Sequence, residues 1–321
     1  MNRPLRTIAV SGASGFIGGH VAHEAEVRGY RVIRGGFRRA RAGSGWRIAD
    51  LRVPQEALAF VSDADAVIHC AALVGTMISK MRNPATLMSD NLRMTMNLAE
   101  SLVPVGAHRL VLVSSAEIYA GNSDTFEEGD GFTGTPNGPN VGYVWSKRMS
   151  EVFAELAARQ YDFDLGVVRP NNVFGPGDDY AAETARAVPA MLFRALTGKD
   201  IILWGDGSQI RSFLYVADLA RAILDVTESG VNQGAINVGS TEYVKLEDLA
   251  CLIVDKCASS SRIQRDPTKP AGPLRRLVST AKAERLIGFS PQFSLAQGID
   301  LCVADARRRL GLDGQRREGP V

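Results

Sequence analysis

The sequence contains few of the residues that hold metals or cross-link chains. Among its 321 residues are four cysteines and four histidines. It has neither a CxxC pair nor a cluster of histidines, so the pattern indicates neither a zinc site nor a disulfide framework. We therefore expect no bound metal, and we interpret each cysteine as a small residue of the core.

Long hydrophobic runs are missing as well. No apolar stretch approaches the ~20 residues that a membrane-spanning helix requires. The first residues, MNRPLRTIAV, lack the apolar segment of a secretory signal. The net charge is only +2, which is too small by itself to indicate a nucleic-acid partner. These absences predict a cytoplasmic protein that binds neither a membrane nor nucleic acid.

Short apolar runs alternate with amphipathic segments in the first half of the chain. The predicted strands are Thr7–Val10, Arg31–Ile33, Ala66–His69, Leu110–Ser114 and Leu165–Val168, and the predicted helices are Phe16–Arg28, Pro54–Phe60, Asn91–Leu102 and Gly142–Gln160. Such alternation is typical of an α/β fold with a doubly wound parallel sheet. Ligands of these sheets bind at the carboxyl ends of the strands.

The composition changes from Arg169 onward, where glycine and proline become frequent. This change predicts a second, smaller C-terminal α/β lobe that binds substrate. We assign residues 1–168 plus about 212–236 to the first domain and residues 169–211 plus about 237–305 to the lobe. The last stretch, ARRRLGLDGQRREGPV, is basic and polar, which predicts a frayed helix end and a flexible basic tail over residues 306–321 rather than a binding arm.

A glycine-rich turn, SGASGFIG, follows the first predicted strand and opens the first predicted helix. In this context the GxxGxxG spacing indicates a dinucleotide site. Gly12 would allow the sharp turn, Gly15 would let the backbone approach a pyrophosphate, and Gly18 would let the helix pack on the strand. The N–H groups of the first helical turn then face the phosphates. A tight turn with nothing bound is the alternative.

The stretch RVIRGGFRRARAG lies at the second predicted strand. In NAD(H) sites a carboxylate near this position accepts hydrogen bonds from the ribose 2′-hydroxyl. Gly36 stands about there instead, with Arg34, Arg38 and Arg39 around it. Arginine binds a 2′-phosphate through charge-assisted hydrogen bonds. The stretch therefore favours NADP(H) over NAD(H), unless these arginines only form a solvated loop.

A YxxxK pair, Tyr143 and Lys147, lies in the segment GYVWSKRMSEVF. On a helix the two side chains share one face. An ammonium group beside a phenol stabilises the phenolate and so lowers the phenol pKa from its usual value near ~10. The tyrosine can then exchange a proton with a substrate hydroxyl during hydride transfer. A buried aromatic ring beside a snorkelling lysine is the simpler alternative.

The fourth predicted strand ends in VSSAEIYAG, at the edge of the sheet where catalytic groups are expected. Ser114, Ser115 and Glu117 follow this strand. A serine hydroxyl here can hold the reacting oxygen in line with the tyrosine. Glu117 could act as a base or could cap a turn.

These motifs resemble the extended short-chain dehydrogenase/reductase superfamily, in its NAD(P)-dependent nucleotide-sugar epimerase/dehydratase branch. The matching stretches are SGASGFIG, ADL at 49–51, HCAA at 69–72, VSSAEIYAG, YVWSK, RPNNVFGPG and WGDGSQIRSFLYVADLA. The resemblance implies a Rossmann cofactor domain and a lobe that holds a nucleotide-diphosphate sugar. It also implies a homodimer, for which the helices predicted at Asn91–Leu102 and Gly142–Gln160 are candidates.

The motifs and the resemblance together give three sets of candidate residues. The catalytic candidates are Tyr143, Lys147, Ser115 and Glu117. The cofactor contacts are Gly12, Gly15, Phe16, Ile17, Gly18, Arg34, Arg38, Arg39, Asp50, Leu51, Ala71, Ala72, Asn91, Ser114, Tyr143, Lys147 and Pro170. The substrate contacts are Val74, Ser115, Asn172, Arg186, Arg211 and Arg276. Arg211 would present a bidentate fork to a diphosphate, or it could form a structural ion pair.

Members of this family share hydride transfer at the sugar C4, and additional acid or base residues decide the product. Ala116 lacks the acid that one type of related dehydratase carries at this position. Glu117 and Arg186 stand where 3,5-epimerases carry a cysteine and a histidine or lysine, and arginine is a poor proton donor. We place an epimerase that acts through a 4-keto intermediate first and an NADPH-dependent 4-ketoreductase second. A 4,6-dehydratase or a non-catalytic NADP sensor is less favoured.

Overall fold

The computed structural model describes residues 4–37, 45–74, 77–121, 123–180, 186–269 and 273–312. Its strands are β1 Thr7–Ser11, β2 Arg31–Gly36, β3 Trp46–Ile48, β4 Ala66–His69, β5 Arg109–Val113, β6 Thr125–Phe126, β7 Asp164–Pro170, β8 Val173–Phe174, β9 Ile201–Trp204, β10 Ile210–Ser212, β11 Leu214–Tyr215, β12 Ala235–Val238, β13 Tyr243–Lys245, β14 Ile263–Asp266 and β15 Leu277–Val278. Its α-helices are α1 Phe16–Val27, α2 Pro54–Val61, α3 Met77–Arg82, α4 Pro84–Val105, α5 Val141–Tyr161, α6 Ala187–Leu196, α7 Val216–Ser229, α8 Leu246–Lys256, α9 Ala281–Ile287 and α10 Leu295–Arg309.

A seven-stranded sheet joins strands from the first 170 residues of the chain with β12, which lies much later in the sequence. Its order is β12-β7-β5-β4-β1-β2-β3, and every neighbouring pair is parallel. The strand order reverses between β1 and β4, which is where doubly wound sheets open a ligand crevice. The prediction of an α/β fold with a parallel sheet is therefore confirmed.

The sheet strands are buried on both faces because their sequences are nearly continuous apolar runs. Ile8, Ala9 and Val10 of β1 are inaccessible to solvent, and Ile68 of β4 is equally buried. Helix α4 begins seven residues earlier than the sequence pattern predicts, at Pro84. Proline suits the first position of a helix because it lacks the N–H that would have no partner there.

The chain divides into two compact units. The first contains residues 1–171, 217–239 and 277–290, and the second contains residues 172–216, 240–276 and 291–321. Within the second unit, β10 and β13 pair in antiparallel fashion, whereas β8 pairs with β11 and β9 with β14 in parallel. The return of 277–290 to the first unit, where β15 pairs with β6, was not foreseen from the sequence.

Two sequence-based predictions are wrong. The tail predicted from residue 306 starts too early, because α10 continues to Arg309 and Ala306 is completely buried on it. The cysteines are not all core residues, since Cys251 is exposed and Cys70 is only partly buried. Within the described ranges, no helix combines the length and the apolar character needed to cross a membrane.

Candidate active site

The glycine-rich turn joins β1 to α1 with almost no free space. Gly12 has a φ of +68°, and a Cβ on it would lie 2.8 Å from the Cα of Ala71 in the loop after β4. Gly15 is the N-cap of α1 and offers no side chain to cap the first N–H groups, those of Phe16 and Ile17 among them. A backbone turn at a helix N-terminus without a side chain over it fits the pyrophosphate of a dinucleotide.

The third glycine of the turn gives a direct test. A Cβ on Gly18 would lie 2.3 Å from the carbonyl oxygen of Gly12. We expect Gly18→Ala to push α1 away from the turn, to lower the free energy of unfolding by about 1–3 kcal/mol and to weaken dinucleotide binding at least about tenfold. Denaturant unfolding and fluorescence titration with NADPH measure both effects. Gly129→Ala is the control, because a Cβ there meets open space; equal effects in the two variants would contradict this account.

The arginine-rich stretch is only partly described. The guanidinium group of Arg34 forms an ion pair with Glu26 of α1. Arg38 and Arg39 lie outside the described residues. At the end of β2, a Cβ on Gly35 would lie 2.8 Å from the ring of Phe60. The strand end therefore has little room for a side chain at Gly35. Because Arg38 and Arg39 are not described, the preference for NADP(H) stays a prediction.

Asp50 follows β3 and precedes Leu51. Its carboxylate accepts hydrogen bonds of 2.9 and 2.7 Å from Arg52, and these bonds hold the pKa of Asp50 below its usual value. Arg52 also binds Asp90 of α4 at 2.9 Å. This network fixes the loop after β3 against α4.

The loop after β4 carries Ala71, Ala72 and Val74, three of the candidate contacts. Asn91 of α4 holds this loop, because its amide accepts a bond of 2.7 Å from the N–H of Leu73 and donates one of 3.0 Å to the carbonyl of the same residue. The observed role of Asn91 is thus to position the loop. Its predicted contact with a cofactor stays a prediction.

The Tyr143–Lys147 pair lies on α5, beside the end of β5. The Nζ of Lys147 donates a hydrogen bond of 2.8 Å to the carbonyl of Val113 and lies 5.8 Å from the centre of the Tyr143 ring. Burial lowers the pKa of Lys147 to about 8. The ammonium group therefore remains charged at neutral pH and loses its charge in mildly alkaline solution.

The start of α5 is placed by close packing. A Cβ on Gly142 would lie 2.2 Å from the carbonyl oxygen of Pro84, so only glycine allows α5 to begin this close to α4. Tyr143 is the next residue and is only 9% exposed. The close approach at Gly142 thereby places Tyr143 at the start of α5, next to α4.

Ser115 and Glu117 lie directly after β5, in a short 3-10 helix and its cap. The hydroxyl of Ser115 accepts a bond of 3.1 Å from the N–H of Glu117. The exposed carboxylate of Glu117 accepts a bond of 2.6 Å from the side-chain amide of Asn140, the residue that precedes α5. Glu117 is therefore linked to the start of the helix that carries Tyr143.

A buried polar network below Ser114 was missed by the sequence analysis. The Ser114 hydroxyl donates to Glu151 of α5, and Arg169 of β7 binds the same carboxylate at 2.6 Å. Arg169 also donates to the hydroxyl of Tyr119 at 3.1 Å and to the carbonyl of Glu128 at 2.7 Å. Helical spacing in the sequence could have pointed to Glu151, because it follows Lys147 by four residues and shares its face of α5. Pro170 is the last residue of β7.

The remaining candidates belong to the second unit. Asn172 donates a bond of 3.0 Å to the carbonyl of Ser212. The Nη2 of Arg186 donates a hydrogen bond of 2.7 Å to each carboxylate oxygen of Asp178. Arg186 is therefore held as an ion pair.

Arg211 lies in a cationic environment within the second unit. Its guanidinium group donates to the carbonyls of Ile210 at 2.8 Å and Pro273 at 3.0 Å. Among the residues that the structure describes, no carboxylate forms an ion pair with it. Burial and the nearby charge of Arg276 lower the pKa of Arg211. The proximity of two arginines favours an anion as ligand.

The parallel sheet, the glycine turn and the Tyr–Lys pair define a dinucleotide-dependent enzyme of the extended short-chain dehydrogenase type. Residues 8–239 match the model of the NAD dependent epimerase/dehydratase family. The chain belongs to this family. The match covers every catalytic candidate, whereas Arg276 lies beyond it.

Relatives and solved structures agree with this membership. The chain is 34% identical over 302 residues to a dTDP-4-dehydro-6-deoxy-D-allose reductase from Streptomyces sp, covering 89% of this chain and 92% of the relative. The reductase of the same name from Streptomyces bikiniensis is 35% identical with the same coverage. UDP-glucose 4-epimerase of Thermotoga maritima, solved with UDP-glucose, superposes with a TM-score of 0.84 at 25% identity, over 95% of this chain and 99% of that one.

Proposed function

We propose that the protein is an NADPH-dependent 4-ketoreductase of a nucleotide-diphosphate 4-keto-6-deoxy sugar. The observation that carries this choice is the 34–35% identity to two dTDP-4-dehydro-6-deoxy-D-allose reductases over about nine tenths of the chain. The sequence analysis placed an epimerase first and this reductase second. The relatives favour the second reading, and the preference for an epimerase is not confirmed.

The site geometry supports reduction over 3,5-epimerisation. Epimerisation at C3 and C5 needs one residue that removes a proton and one that donates a proton. The two corresponding positions here are Glu117 and Arg186. Arg186 is paired with Asp178, and an ion-paired guanidinium is a poor proton donor. Glu117 accepts a hydrogen bond from Asn140. Ketone reduction requires only the one proton that Tyr143 can donate.

In this proposal the residues around Tyr143 manage the proton. Bound NADPH supplies the hydride. The hydroxyl of Tyr143 donates its proton to the keto oxygen, and the buried ammonium of Lys147 stabilises the phenolate that results. Ser115 holds the same oxygen through its hydroxyl. The glycine turn, with the N–H groups of Phe16 and Ile17, would hold the pyrophosphate of the cofactor.

The second unit would bind the nucleotide diphosphate of the substrate. Arg211 offers a bidentate fork, and the nearby charge of Arg276 adds to the attraction for a diphosphate. Asn172, whose amide donates to the carbonyl of Ser212, belongs to the same unit and would contribute to this site. These contacts, and that of Val74, are proposals.

The test is the stoichiometry of cofactor use. The purified protein is stripped of bound dinucleotide and incubated with NADPH and dTDP-4-dehydro-6-deoxy-D-allose. We expect one NADPH oxidised per sugar reduced, followed by absorbance at 340 nm and by chromatography of the nucleotide sugar. A sugar that isomerises while NADPH is unchanged would contradict the reductase and establish an epimerase. Loss of water from dTDP-glucose would establish a dehydratase.

Cofactor choice gives a separate prediction. We expect the protein to bind NADPH at least about tenfold more tightly than NADH, because arginine pairs with the 2′-phosphate. The double variant Arg38→Ala/Arg39→Ala should lose this difference and leave NADH affinity unchanged, as measured by calorimetric titration. Arg34→Ala should have a smaller effect, since Glu26 already neutralises that charge. Equal affinities in the unaltered protein would contradict the prediction.

Two further expectations stay predictions. A homodimer would form through α4 and α5, on which Val103 and Leu156 are exposed. A cytoplasmic location is expected from the sequence.

A further inference from the structure

A second lysine lies at the ring of Tyr143. The Nζ of Lys80, on α3, is 5.1 Å from the centre of this ring, closer than the Nζ of Lys147 at 5.8 Å. Both distances are within the range of cation–π attraction. The phenol therefore has two ammonium groups near it, whereas the YxxxK motif accounts for only one.

Lys80 differs from Arg52, another cation that lies over an aromatic ring. Arg52 lies over the ring of Phe37, but its charge is neutralised by Asp50 and Asp90. Lys80 forms no ion pair with a carboxylate in the part of the chain that the structure describes. Its positive charge is therefore available to a negative charge that develops at Tyr143.

Most of the other titratable groups around this site are neutral or paired with an opposite charge. They are His69 and Cys70 at the end of β4, Asp90 of α4, Glu117 after β5, and Lys147 and Glu151 of α5. Burial lowers the pKa of His69 to about 3 and raises that of the Cys70 thiol to about 12, so both are neutral near pH 7. Asp90 and Glu151 are bound by arginines. Glu117 is exposed to solvent and accepts a hydrogen bond from the side-chain amide of Asn140.

We propose that Lys80 is a second cationic positioning residue, whose ammonium group stabilises the phenolate of Tyr143 together with Lys147. The proposal rests on the proposed function, in which the proton leaves the Tyr143 oxygen for the keto oxygen. With the hydride that bound NADPH would supply to the carbonyl carbon on becoming NADP+, the ketone would become an alcohol and the phenol a phenolate. Solvent then returns a proton to that oxygen.

The first experiment titrates Tyr143 without any substrate. Tyrosinate absorbance at 295 nm is followed against pH, and the matching Tyr143→Phe curve is subtracted in each background. Lys80→Met should raise the midpoint of the Tyr143 titration by about one pH unit, or about tenfold in acid dissociation. Lys80→Gln should do the same, and Lys80→Arg should restore the original midpoint. Arg82→Met, on the same helix, is the control and should leave it unchanged.

The second experiment measures ketone reduction in the same variants. In Lys80→Met we expect kcat at neutral pH to fall about tenfold because the phenol becomes a weaker acid. KM should change less than about twofold, and the alkaline limb of the kcat profile should move to higher pH. A changed KM with an unmoved pH profile would overturn the proposal and make Lys80 a substrate contact.

The two experiments separate the two proposals. A midpoint that shifts in a protein unable to reduce any 4-keto sugar would support the role of Lys80 and contradict the reductase. An unshifted midpoint in both neutral variants would overturn the role of Lys80, whatever the activity of the unaltered protein.

Discussion

Tyr143→Phe should lower kcat about a thousandfold while cofactor binding is unchanged. The variant removes only the hydroxyl that donates the proton, and general acid catalysis of this kind contributes about 10²–10⁴-fold. The ring itself stays, so its packing on α5 and its contacts with Lys80 and Lys147 are kept. Single-turnover reduction of a 4-keto nucleotide sugar and NADPH titration measure the two quantities.

Another tyrosine of the same helix provides the control. Tyr161 is the last residue of α5 and lies far along the helix from the candidate site, so Tyr161→Phe should leave kcat unchanged. A Tyr143→Phe variant that retained more than about a tenth of kcat would show that another group donates the proton. A protein that binds NADPH fully but has no turnover even when unaltered would support the sensor reading.

The sequence predicted the features that depend on local patterns. Buried parallel strands are short apolar runs, and the start of α1 is marked by glycines whose spacing has a steric reason, as at Gly18. The strands Ala66–His69 and Arg109–Val113 were found within one residue of their observed bounds. Tyr143 and Lys147 could be paired because helical spacing alone brings them to one face.

Features that depend on tertiary contacts were missed. The pairing of β15 with β6 joins two-residue strands about 150 residues apart, and such short strands leave no periodic signal. The sequence placed Arg186 among the substrate contacts but gave no sign of its ion pair with Asp178. Lys80 comes near Tyr143 only because α3 packs beside α5, which no spacing rule predicts.

The ion pair between Glu151 and Arg169 should be the most costly interaction to break. Their side chains are 1% and 4% exposed. Burial acts to lower the pKa of Arg169, but the hydrogen bonds and charge of Glu151 raise it overall. Glu151→Gln would leave a buried guanidinium without its counter-charge, so we expect the free energy of unfolding to fall by about 3–5 kcal/mol. Denaturant unfolding followed by circular dichroism measures the change.

A double-mutant cycle separates the buried charge from lost packing. Glu151→Leu and Arg169→Met should each be strongly destabilising. The double variant should lose about 2–3 kcal/mol less free energy of unfolding than the two single variants lose together, because no unpaired charge remains. Arg93→Met is the control: its ion pair with Asp90 is 62% exposed on the arginine side, and such pairs contribute less than about 1 kcal/mol. Additive effects of the two substitutions would contradict this account. They would mean that the hydroxyl of Ser114 satisfies Glu151 and that of Tyr119 satisfies Arg169, so that hydroxyl groups rather than opposite charges hold the end of β5.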